Sequence, residues 1–150
     1  MAKEIQMDAI KFILREHNKI RRTFKDINKK SRRIPTKKKM LKELCNYLVV
    51  HETMEQKKWY PHFKKNSQLN AVVKHLLTEE KKAAKVIKTF KKPLSDERWE
   101  EKFLAFKKDV EHHASEEEKK LFPKVRKFFD AEELDEIGKV LRKFKIAHTS

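Results

Sequence analysis

His51, Glu55, Trp59, Tyr60 and Pro61 recur as His113, Glu117, Leu121, Phe122 and Pro123, so an imidazole, a carboxylate and a proline return at the same offsets, sixty-two positions on. On a helix, a His and a Glu four residues apart lie on one face about one turn apart, so each motif can offer both donors to the same ion or pair of ions. Two such helices facing one another would enclose a dinuclear centre. Imidazole and carboxylate donors suit iron, manganese or zinc, and glutamates from facing helices favour a dinuclear centre over mononuclear zinc.

Spacing alone does not single out these pairs, because His51, His75, His112 and His113 all have Glu at the fourth position. Helical phase does. Leu41, Leu44, Leu48, His51, Glu55 and Trp59 follow one 3.6-residue stripe, and Phe103, Phe106, Val110, His113, Glu117 and Leu121 follow another. A carboxylate on an apolar stripe is costly to bury unless it is protonated, paired or bound to metal. His112 points away from its stripe and reads as a solvated residue.

The elements that must position these groups can be read in chain order. A first helix is predicted over about residues 4–29, with Ile10, Ile13, His17, Ile20, Phe24 and Ile27 on one face, so His17 points inward. A lone His on an apolar face is more often a hydrogen-bonded core residue; beside two inward His/Glu pairs it joins the candidate ligands. A basic loop over residues 30–36, broken by Pro35, leads to Thr36 as the expected N-cap of the second helix. Glu52 also falls near the inward face of that helix, as an extra ligand or an outer acceptor. Pro61 ends or kinks the helix, since it lacks the backbone donor and clashes with the preceding turn.

A third helix over about residues 68–91 carries Leu69, Val73, Leu76, Ala83, Ile87 and Phe90, and Glu80 lies on the same stripe in the place that His17 takes in the first helix. His75 and Glu79 flank that face and would reach inward if the helix were turned by a few tens of degrees. Ser95 caps a fourth helix built on Trp99, Phe103, Phe106 and Val110. Asp130 and Glu133 form a capping-box start for a short fifth helix with Leu134, Ile137, Leu141 and Phe144 on its buried edge.

One glycine and four prolines among 150 residues suit long helices joined by short loops, so the fold class is all-α, and the length suits one domain over 1–150. The single Cys45 excludes an intramolecular disulfide, fits a reducing compartment and reads as a small core residue. Lys and Arg number 39 against 23 Asp and Glu, a net charge of +16 that attracts polyanions without a dedicated site. The lysines are spread over every segment, with no arginine-rich tract or recognition-helix signature, so specific nucleic-acid recognition is not indicated. No apolar run is long enough to span a membrane, which makes a soluble cytoplasmic protein the expectation. No nucleophile arrangement or Gly-rich phosphate loop points to an organic substrate.

A His, then His-x-x-x-Glu closing on an aromatic-Pro pair, then a third-helix ligand, then a second His-x-x-x-Glu closing on Phe-Pro resembles the hemerythrin-like, or HHE cation-binding, domain over roughly residues 7–144. The resemblance implies an up-down-up-down four-helix bundle around a dinuclear non-haem iron centre, oxo- or hydroxo-bridged. His17, His51, Glu55, His113 and Glu117 match by position, with Glu55 and Glu117 as the bridging carboxylates. In the third helix the family has His where phase puts Glu80, which leaves His75 as the alternative ligand.

The function implied is binding or sensing of O2, nitric oxide or iron. An enzyme acting on peroxide or nitric oxide, or in iron-stress repair, would need the same ligands. A third possibility is a metal-free basic bundle docking on nucleic acid or an acidic protein. The sequence sets no oligomeric state.

Overall fold

The structure, a computed structural model, describes residues 7–148. It is all-α, with no strand among the described residues. Four long helices follow one another up and down: α1 (Ala9–Ile27), α2 (Ile34–Met54), α3 (Ser67–Thr89) and α4 (Asp96–Glu116). A short α5 (Phe122–Phe128) and the 18-residue α6 (Ala131–His148) complete the chain.

Local chemistry sets the helix ends. The Asp8 carboxylate accepts from Lys11 N at 2.8 Å and starts α1, so the helix begins later than its periodicity suggested, and positions 4–6 lie outside the described residues. The second helix starts before Thr36, at Ile34, because Pro35 sits in the first turn, where its missing N–H leaves no hydrogen bond unmade. Asn66 caps α3 and Ser95 caps α4. Glu133 N donates to Asp130 Oδ1 at 2.8 Å and Asp130 N to Glu133 Oε1 at 3.0 Å, the reciprocal capping box ahead of α6.

Both motif helices change pitch at their glutamate. A π turn covers Glu55–Trp59 and a second covers Glu117–Leu121. Each closes through an i to i−5 bond, Tyr60 N to Glu55 O and Phe122 N to Glu117 O. The prolines supply the reason: Pro61 and Pro123 have no N–H to give and crowd the carbonyl four residues back, so the turn widens instead of continuing as α-helix. Tyr60–Phe63 then forms a 3₁₀ turn, whereas Pro123 opens α5.

The core is divided across its middle. One apolar block gathers Ile13, Met54, Trp59, Phe63, Leu76, Leu121 and Leu141, and the other gathers Ile20, Phe24, Leu41, Leu48, Phe103 and Phe106. The polar stripe residues fall between the two blocks, His17 between Ile13 and Ile20, Glu80 between Leu76 and Ala83. Outside the four helices, α6 packs along α1. A Cβ on Gly138 would come within 2.7 Å of Met7 O and 2.9 Å of Ala9 N, so only glycine lets the two backbones approach this closely.

Candidate metal centre

Each of the four long helices or its π turn sends polar side chains into the middle layer. His17, His51, Glu55, Glu80 and Glu117 are buried, and His113 keeps 15% of its side chain exposed. Donor atoms from these six form two overlapping groups. His17, His51, Glu55 and Glu117 each bring an atom within 4.8 Å of the others, as do Glu55, Glu80 and His113, so Glu55 belongs to both.

The three imidazoles are oriented alike. Nδ1 of His17 meets Glu118 Oε2 at 2.8 Å, Nδ1 of His51 meets Glu16 Oε1 at 2.7 Å, and Nδ1 of His113 meets Glu79 Oε1 at 3.0 Å. An ionised carboxylate only accepts, so each Nδ1 carries the proton and donates. In the neutral ring, Nε2 is then the atom with a free lone pair. All three Nε2 atoms face the centre: His17 lies 3.0 Å from Glu117 Oε1, His51 3.3 Å from Glu55 Oε1 and His113 3.2 Å from Glu80 Oε2. Outer carboxylates that fix the tautomer and aim of an imidazole are the usual support of a metal-ligating His.

Several inward atoms are left without hydrogen bonds. His51 Nε2, Glu55 Oε2 and Glu117 Oε1 are fully buried and unsatisfied, although ring nitrogen and carboxylate stand at contact distance. Buried polar atoms normally find partners. Lone pairs that converge without bonding one another are what a cation would satisfy, and nitrogen with carboxylate oxygen is a donor set that suits a first-row transition metal.

Electrostatics agree with a cation's place. Burial, reinforced by the charges of Glu117 and Glu80, drives the Glu55 carboxyl well above its ordinary range. In Glu117 burial is outweighed by the Glu55 carboxyl beside it and by the positive charge of His17 and His113, which hold it well below that range. The two thus share one proton, kept on Glu55. Burial opposes charging His113, but Glu80 raises it to about 9; His17 is raised in the same way by Glu117 and Glu118. The ion-free layer therefore holds protons where a metal would supply positive charge.

The remaining sequence candidates take different places. Glu52 lines the cavity beside the centre, and its carboxyl is pushed up to about 8 by burial and by Glu80; it belongs to neither inner group. Glu79 stands behind His113. His75 is 58% exposed on the outside of α3 and faces Glu79 and Glu116.

Three supporting residues were not apparent in the sequence as parts of the site. Glu16 accepts from His51, from Tyr47 Oη at 3.1 Å and from Lys145 Nζ at 3.1 Å, and Glu118 accepts from His17 and Arg21. Glu16 had a signal, since Ile13, Glu16 and Ile20 are spaced by three and four. The Tyr60 hydroxyl lies 2.9 Å from Glu80 Oε2, 3.2 Å from Glu117 Oε2 and 3.4 Å from Glu55 Oε1. Five steps along an α-helix would leave Tyr60 about 140° around from Glu55; the π turn stacks it above the carboxylate instead.

A cavity of about 120 Å³ runs beside the centre. Leu48, Ala83, Val86, Phe106 and Val110 form its apolar wall, and Glu52, Glu79, Glu80, His112 and His113 its polar one. Among the described residues, no helix is long and apolar enough to cross a membrane.

No curated protein and no solved structure matches this chain. The sequence profile described as Hemerythrin HHE cation binding domain matches residues 8–125, a span that takes in α1 to α4, both π turns and all six inward His and Glu residues. With most of its length matched, a bundle of the expected architecture and a buried His/Glu layer able to hold a cation, the chain belongs to the hemerythrin HHE cation-binding domain family.

Proposed function

We propose that the protein holds a dinuclear non-haem iron centre on His17, His51, Glu55, Glu80, His113 and Glu117, and uses it to bind or sense a small diatomic molecule, O2 or nitric oxide. The observation that carries this reading is the shared orientation of the three imidazoles, each with Nδ1 anchored on an outer carboxylate and Nε2 turned to a layer of three glutamates. Glu55 belongs to both donor groups, which suits a residue bridging two ions. Iron would supply a redox-active Lewis acid there. The chain's own residues orient the donors, exclude bulk water and keep the Tyr60 hydroxyl, whose ionisation burial and the neighbouring carboxylates oppose, as a proton donor beside the site.

Cavity size supports a small ligand. The cavity of about 120 Å³ beside the donors has room for a molecule of O2 or nitric oxide. Glu80 makes the donor set richer in carboxylate. Anionic oxygen donors favour the ferric state, so sensing or oxidative use fits better than reversible O2 carriage.

Anaerobic loading with ferrous iron followed by elemental analysis tests the centre, with two irons per chain expected. Zinc alone at one per chain, or no tight binding, would sink the dinuclear reading. Exposure of the loaded protein to O2 or nitric oxide then distinguishes its use: a stable stoichiometric coloured adduct is expected, and continued consumption of nitric oxide or peroxide by substoichiometric protein would assign an enzyme instead.

A further inference from the structure

The two His-x-x-x-Glu pairs that fall off the apolar stripes also face one another. His75 and Glu79 lie one turn apart on α3, and His112 and Glu116 one turn apart on α4. His112 Nε2 stands 3.2 Å from Glu116 Oε1 and 3.9 Å from Glu79 Oε2; His75 Nε2 stands 3.6 Å from both Glu79 Oε2 and Glu116 Oε2. Both imidazoles are more than half exposed, whereas the two carboxylates are largely covered. Donor atoms of His75, Glu79 and Glu116 lie within 4.8 Å of one another. Glu116 Oε2 is buried without a hydrogen-bond partner, and Lys120 takes only the other oxygen, at 3.1 Å.

Glu79 joins this cluster to the buried layer. Its Oε2 faces the surface imidazoles while its Oε1 accepts from His113 Nδ1 at 3.0 Å. His112 and Glu79 also line the cavity that reaches His17 and His51. On a chain of net charge +16 most of the surface repels a divalent cation. Here two carboxylates and two imidazoles, the donors that suit zinc or ferrous iron, meet at the surface beside a route inward.

We propose that His75, Glu79, His112 and Glu116 form a second, surface site for a divalent transition-metal ion, and that this site is the port through which the buried centre is filled. The site itself stands on its own geometry; its role as a port rests on the buried centre proposed above. An ion held by Glu79 and the surface imidazoles would lie one carboxylate away from His113. The cavity lined by His112 and Glu79, which also reaches Glu80 and His113, then offers the ion a route to the inward donors.

Calorimetric titration of the ion-free full chain with Zn2+, beside the His75→Ala/His112→Ala double variant, tests the site. Both positions are exposed, so the variant is expected to keep its helical circular dichroism. It should bind one Zn2+ fewer per chain with the buried equivalents unchanged, and, having lost the imidazoles that hold the ion at the entrance, its buried centre should take up Fe2+ about tenfold more slowly, within the spread of association rates among variants of one site. Equal Zn2+ stoichiometry in the two proteins overturns the site. Loss of one equivalent with an unchanged filling rate overturns the port. Should the reading of the buried centre be wrong, both proteins would lack the buried equivalents while the difference of one Zn2+ persisted, which separates the two failures.

Discussion

The Tyr60 hydroxyl stands 2.9 Å from the Glu80 carboxylate, the one from a π-distorted end of α2 and the other from the middle of α3. A single phenolic proton faces Glu55 and Glu117 as well. It anchors the carboxylates without occupying all of them. Tyr60→Phe keeps the ring in the apolar block and removes that proton. The variant is expected to retain two irons per chain at saturation, bind them about 10- to 100-fold more weakly, as loss of an outer partner does, and show a shifted optical spectrum. Unchanged affinity and spectrum would remove Tyr60 from the site.

Glu80 and His75 compete for the role of third-helix ligand, and their surroundings differ. Glu80 is 1% exposed and bonded to Tyr60, Gln56 and His113, while His75 lies outside with Glu79 and Glu116. Glu80→Ala is expected to lose at least one iron per chain after gel filtration, and His75→Ala to keep both buried irons. The opposite pattern in elemental analysis would place the ligand on His75 and return the centre to the His-rich arrangement.

Proton competition sets the pH dependence. Without metal, Glu55 is held protonated, Glu52 is pushed up to about 8, and the imidazoles of His113, at about 9, and His17 are raised as well. An incoming ion must displace protons from its ligands, so affinity should rise from pH 6 through 8 and level off above about 9 as His113 loses its proton unaided. Calorimetry in buffers of different ionisation enthalpy should register proton release on binding at pH 7. The linkage for ion-free stability has the reverse sign at Glu52. Its folded pKa lies above its unfolded value, so its contribution is complete below about 4.5 and is lost as pH rises to about 8. Absence of proton release at pH 7 would contradict this account.

Removal of the metal should lower the melting temperature. A ligand at a hundred times its dissociation constant stabilises the folded state by about 2.7 kcal/mol, and for a chain of this length that corresponds to about 5 to 10 °C. Scanning calorimetry of ion-free and iron-loaded protein measures the difference. Coincident transitions would argue against a site in the core.

The architecture was legible because apolar residues at helical spacing mark one face of each helix, and His17 and Glu80 stood out as polar interruptions of that face. Of the outer carboxylates, Glu118 was hidden for the same reason. Glu118 sits one step from a ligand, outside the stripe, and is brought in by a neighbouring helix that helical phase does not describe. Tyr60 gave no sign of its place at the site, because an unbroken α-helix has no position for it over Glu55. Thr36 read as a cap since the competing use of Pro35, inside the first turn, depends on where the backbone turns. His112 looked solvated and His75 stood on the flank of the inward face; only the packing of α3 on α4 shows that they share carboxylates.

The polar layer between the two apolar blocks has a meaning for the chain as a polymer. With a single cysteine, this protein cannot tie distant segments together covalently within itself. An ion pair held by α1, α2, α3 and the π turn after α4 would make those ties instead, closing three successive loops at one knot in the middle of the bundle. Cross-links act largely by shrinking the unfolded ensemble. Such a knot can be opened by a chelator where a disulfide would need a reductant, so metal supply would govern how long the bundle stays closed as well as what it binds.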